Sequence, residues 1–306
     1  MATSRSDATT GHRTHRYLRL SLALIVVAIL VGVAIESLKL GMVLPSISHY
    51  YYTPAQSVFV GALIAASVAL AALSGRGLET TLLDIAAVFA PLIALVPTGV
   101  YGRSLHAELG LSCPPRRMCV PEPYADAVRN GVGTYLVVLA VVLTLAVVLR
   151  VRGRVRGNGV FAVGAIAAVA AVVIAALTFL PPWSNGFPTP AVLPLGIHYP
   201  VTIAFFAAFA TVPIINAFRR TTDEESKPKL WQKVVYVTVA VALVADLVLL
   251  VFFSQSFGTV PIVFIGEAVA LVLFAAFWFV QTFQRWDEKD QEFILPTPPL
   301  AWREVR

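Results

Sequence analysis

Eight stretches of mainly apolar residues, each long enough to cross a bilayer as a helix, divide this chain. They are residues 18–38, 57–74, 80–101, 131–149, 159–180, 199–218, 234–253 and 260–283. A bilayer core about 30 Å thick needs about 20 helical residues at a rise of about 1.5 Å each. The runs are continuously apolar rather than alternating, which argues against a transmembrane β-barrel. Of the 306 residues, 58% are hydrophobic and 13% charged, where a soluble domain carries about 25% charge. The expected fold is therefore all-α: a polytopic transmembrane helix bundle of eight spans. Residues 1–17 and 285–306 would be tails, and 18–284 the membrane domain.

The basic residues orient the bundle. With the N-terminus inside, Lys39, Arg103, Arg116, Arg117 and Arg129 fall outside and the other 18 of the 23 Lys and Arg fall inside. Positive charge collects on the cytoplasmic side, so both termini are expected there. The first span has no cleavage site behind it and reads as a retained anchor. Basic runs such as Arg150, Arg152, Arg154 and Arg156 read as topology determinants beside anionic lipid, not as nucleic-acid contacts. The lipid bilayer is the expected partner, with a membrane protein or a second copy as a further option and no nucleic acid.

The two cysteines, Cys113 and Cys119, lie in the long outer loop 102–130. An outer location permits a disulfide, with Arg116 and Arg117 at its tip. A two-thiolate metal site would lack nearby ligands at the usual spacing.

One motif occurs twice. Residues 43–50 (VLPSISHY) and 192–199 (VLPLGIHY) share V-L-P-x-x-x-H-Y at an offset of nearly half the chain. The echo suggests a 4+4 parallel repeat, with chance in a Val-, Leu- and Pro-rich chain as the alternative. Either way, His49 and His198 fall on the same membrane face. Tyr50, Tyr51 and Tyr52 adjoin the first, and Trp183, Phe187 and Tyr199 the second. Such aromatics suit an interfacial belt.

Ionisable groups at membrane depth are functional candidates by default. Glu36 has Lys39 three residues on, a helical pair. Asp84 has Arg76 across a short turn. Asp246 and Glu267 have no such neighbour. They lie at equal depth, about 10 Å below the outer boundary by helical rise, on consecutive spans joined by 254–259. Side by side they would share a proton or a cation. Pro91 and Pro97 should interrupt the third span and Pro213 the sixth.

The segment 45–61, PSISHYYYTP continuing to VFVG, is similar to an outer-loop signature of uncharacterised, actinobacterial-like polytopic membrane proteins of unknown function. The resemblance implies a bacterial plasma membrane and carries no activity, cofactor or site residue with it.

No phosphate-binding glycine loop, H-E-x-x-H pair or G-x-S-x-G elbow occurs. Whether the chain is an enzyme is left open, and no cofactor is assigned. The expected function is binding or transport, or an accessory membrane role, at an outer-half polar site built from Asp246, Glu267, His49, His198, Glu36 and Tyr50. The alternative is a membrane-embedded metal-dependent lipid hydrolase, with His49, His198 and Glu267 as candidate ligands beside Asp246.

Overall fold

A computed structural model describes residues 10–73, 77–101, 109–111, 113, 118–154, 158–189, 193, 196–219, 227–253 and 261–286. Arg76, Arg116, Arg117, the 254–259 turn, Pro194 and the tail beyond 286 lie outside the described residues. So do the expected Arg76–Asp84 pair and the basic loop tip.

Eight α-helices are described: α1 (Thr10–Leu40), α2 (Gln56–Ala72), α3 (Leu78–Leu95), α4 (Glu122–Val151), α5 (Asn158–Phe179), α6 (His198–Ala217), α7 (Leu230–Phe253) and α8 (Ile262–Gln284). Seven are long and apolar enough to cross a membrane, and α2 is shorter. At 17 residues, α2 spans about 26 Å, just under the hydrocarbon thickness.

Local chemistry sets the ends, and several differ from the sequence expectation. α1 starts at Thr10, so much of the expected tail is helical. It stops at Gly41, whose φ of 68° is left-handed backbone that glycine adopts without steric cost. The Met42 N–H then reaches back to the Ser37 carbonyl at 3.2 Å, closing the helix end. The third span ends at Leu95, not at residue 101. Pro97 disfavours helix at the residue before it, and Val96 is extended. Pro97 thus terminates α3 rather than kinking it, whereas Pro91 and Pro213 do lie inside helices. Val100–Tyr101 pairs antiparallel with Met118–Cys119, and Cys113 and Cys119 form the expected disulfide. α4 begins at Glu122, with Pro at its first turn, so the end of the expected long loop is helical.

Six helices close a ring. Each of α1, α2, α3, α6, α7 and α8 packs on the next, and α8 returns to α1. α4 and α5 pack on each other and on α3, outside the ring. Their outer faces expose Val137, Val141, Leu145, Phe161, Val169 and Val172, as expected of surface that meets lipid tails. The ring's interior is aromatic. Phe209 of α6 lies 4.5 Å from Phe274 and 5.4 Å from Phe277 of α8, and Phe277 lies 5.1 Å from Trp278. These are ordinary edge and tilted ring packings. Arg16 sits 4.9 Å over Trp286, so the start of α1 and the end of α8 meet at one end of the bundle.

Candidate functional site

The opposite end is plugged by a short 3₁₀ segment, Ile47–Tyr52, between α1 and α2. Ser46 caps it, its hydroxyl accepting from the His49 N–H at 3.3 Å. All six residues of the segment are buried. The three tyrosines therefore form interior packing, not the expected interfacial belt. Tyr50 bonds Ser37 of α1 and accepts from the Leu44 N–H at 3.2 Å. Tyr52 donates to the Thr98 carbonyl at 2.8 Å and packs edge-on against Tyr124, 5.1 Å away. Tyr50 is thus a fastening between α1 and the plug. Glu36 is buried and bonds Lys39 at 3.3 Å, the expected pair.

Glu267 holds the plug to α8. Its carboxylate accepts from the Ile47 N–H at 2.5 Å, with the Ser48 backbone and the Ser46 side chain also in hydrogen-bonding reach. One turn earlier, the Phe264 N–H donates to the Pro45 carbonyl at 3.0 Å. Charge-assisted bonds from backbone N–H groups compensate a buried carboxylate well.

The histidines attach to the non-helical strand after α3. His198 opens α6, and its Nδ1 donates to the Val96 carbonyl at 2.6 Å. Its Nε2 is then the acceptor of the neutral ring, and it has no partner among the described residues. His49 Nδ1 meets the Ser46 hydroxyl at 2.9 Å, and the Gly99 backbone also bonds its ring. Burial pushes the His49 imidazole down to about 4, Gly99 opposes the shift, and nearby His198 adds to it. The two motif histidines therefore sit in different backbone settings. His49 lies inside a 3₁₀ segment before α2, and His198 is the first residue of α6.

His49, His198 and Glu267 line one cavity of about 320 Å³, together with Ser46, Thr98, Tyr199 and Thr202. Its remaining wall is apolar, from Ile203, Leu247, Leu250, Val251 and Val263. A smaller cavity of about 60 Å³ also has His198 and Glu267 in its wall, together with Phe205, Leu271 and Phe274. Asp246 stands beside this site rather than in the described wall. Its Oδ1 would lie 2.9 Å from a Cβ on Gly266, and it is close enough to Glu267 for their charges to repel. Gly266 is needed here, since that Cβ would also meet Leu250 at 2.7 Å. Among the described residues, no three His, Cys, Asp or Glu side chains come together as a metal site. The expected ligands His49, His198 and Glu267 each already spend an atom on the protein.

The sequence reading missed a second polar cluster at the far end of the ring. Glu79 of α3 accepts from Asn216 of α6 at 3.0 Å, from Gln281 of α8 at 3.1 Å and from Arg285 at 3.2 Å. Gln281 also donates to Asn216 at 3.1 Å, and Arg285 bonds the same Asn216 oxygen. The available signal was two side-chain amides, Asn216 and Gln281, near the ends of otherwise apolar runs.

No family model, curated protein or solved structure matches this chain.

Proposed function

We propose that this chain is an integral membrane binding or transport protein whose ligand enters the cavity between the plug, α6, α7 and α8. The observation that carries the reading is the convergence of His49, His198 and Glu267, from three elements far apart in sequence, on one cavity. Ligand sites are typically apolar hollows with a few convergent polar groups, and this cavity has that composition. α2, at 17 residues, is the eighth crossing in this reading, with the plug outside the span. The basic-residue bias supports a cytoplasmic Glu79 end with both termini inside and the cavity on the outer side, and the resemblance of 45–61 supports a bacterial plasma membrane. A second cavity that shares His198 and Glu267 and reaches the aromatic core, with the Glu79 cluster at the far end, suits a path that opens from one side at a time.

A small-molecule panel screened by thermal shift in detergent tests the reading. Stabilising compounds should lose their effect in Ile203→Trp, which fills the cavity from its apolar wall. Accumulation of such a compound in proteoliposomes should fall in Glu267→Gln. Compounds that stabilise wild type and Ile203→Trp equally would place the ligand elsewhere.

A further inference from the structure

We infer that the cavity selects a small amphipathic amine, its ammonium held by Glu267 and His198 and its apolar body lying against α6 and α7. The inference rests on the proposed role of the cavity as a ligand site, and names what that site takes.

Hydrogen-bond polarity decides the head group. Among the described residues, the wall's donors are committed to the protein. Tyr199 donates to the Leu250 carbonyl at 3.0 Å and Thr202 to the His198 carbonyl at 2.9 Å. The Thr98 N–H is taken by Ser48 at 3.0 Å. What remains is acceptors: the rest of the Glu267 carboxylate and the Nε2 of His198, which has no partner among the described residues. His198 is 4% exposed and lines the cavity, and its Nε2 is not sealed off in the protein. An acceptor facing the cavity can pair with a ligand donor.

Charge decides between a neutral donor and a cation. No Lys or Arg among the described residues lines the cavity. Among the described residues, neither Glu267 nor the adjacent Asp246 has a basic partner, whereas Glu36 and Glu79 each have one. Two acids and no base in an apolar setting favour a cation over an alcohol and oppose an anion. The apolar wall then needs an organic body. A bare metal ion would leave that surface unused and would find too few ligands.

Three probes of matched shape separate these terms: 2-phenylethylammonium, 2-phenylethanol and 2-phenylacetate. Each is titrated at neutral pH against the full-length protein in detergent, by calorimetry. The ammonium should bind saturably, and the alcohol and the carboxylate about tenfold more weakly or worse. Glu267→Gln should lose about tenfold for the ammonium and little for the alcohol, because the amide oxygen still accepts from Ile47. Asp246→Asn should lose a smaller factor for the ammonium alone. Unchanged melting temperatures of both variants without ligand keep the loss attributable to the site. Should the variants melt early, the ranking of the three probes on wild type decides alone. Equal binding of alcohol and ammonium, abolished by Ile203→Trp, would overturn the amine selectivity and leave the cavity as a ligand site. No binding of any probe to wild type would overturn the selectivity and count against the ligand site as well.

Discussion

His198 holds its imidazole in one tautomer because α3 stops at Leu95 and leaves the Val96 carbonyl free to accept. The same extended strand engages His49 through Gly99. The His49 ring cannot be protonated cheaply in so buried a place. The sign follows from its lowered value of about 4. Between about pH 6.5 and 4, the unfolded chain takes up a proton that the folded chain refuses, so stability falls as pH falls through that window. The whole effect is about 3 kcal/mol. Melting temperature in detergent should drop on acidification from pH 7 to 4.5, and His49→Gln should flatten part of that slope. An unchanged slope would remove His49 as a source. Trp278 makes a second residue-scale case. Its indole N–H is buried with no hydrogen-bond partner among the described residues. Trp278→Phe removes that unsatisfied donor and should cost only about 1 kcal/mol, whereas Trp278→Ala should cost about 3–5 kcal/mol for the cavity it opens. Equal losses in denaturation of the two variants would contradict this.

At the scale of elements, α8 carries the molecule's organisation on one face. Glu267, Leu271, Phe274, Trp278, Gln281 and Arg285 recur at three- and four-residue steps. They run from the plug, through the aromatic core, to the Glu79 cluster. Cutting that far cluster should be costly. Glu79→Ala takes away the carboxylate that faces the Arg285 guanidinium, which is 8% exposed and keeps its bond to Asn216, and losing one partner of such a pair typically costs about 3 kcal/mol or more. A thermal melt of Glu79→Ala, set against the double variant with Arg285→Ala, should show the single change to be the worse. Legibility in the sequence is uneven here for a physical reason. Helices declare themselves by uninterrupted apolar length, so all eight are visible there, with ends misplaced where Pro97, Pro123 and Gly41 set boundaries that hydropathy does not register. Asp246 and Glu267 stand out because a charge at membrane depth is costly. Glu79 and Arg285 do not, because charges near span ends are ordinary until tertiary structure brings them together.

Among the described residues, six helices close a ring and two more pack beside α3. That closure is non-local and is not legible in the sequence. The sequence suggests an interfacial aromatic belt at 50–52, whereas the folded chain buries those rings as part of a plug. A motif echo puts His49 and His198 on one face, yet the two histidines sit in different elements and meet through α3's extended end. Glu267 stands out for lacking a cation, and its partners prove to be backbone N–H groups, which no pattern of side chains announces. What unites these parts is a cavity lined by the plug, α6, α7 and α8, at the end of the ring that the proposed orientation puts outside. Labelling of Thr202→Cys in intact cells with a membrane-impermeant thiosulfonate probes that arrangement. The native cysteines are paired with each other and stay unreactive. The expected result is labelling from outside that Ile203→Trp suppresses. Labelling only after the cytoplasmic face is exposed, or labelling that Ile203→Trp leaves unchanged, would contradict an outward-facing cavity at His49, His198 and Glu267.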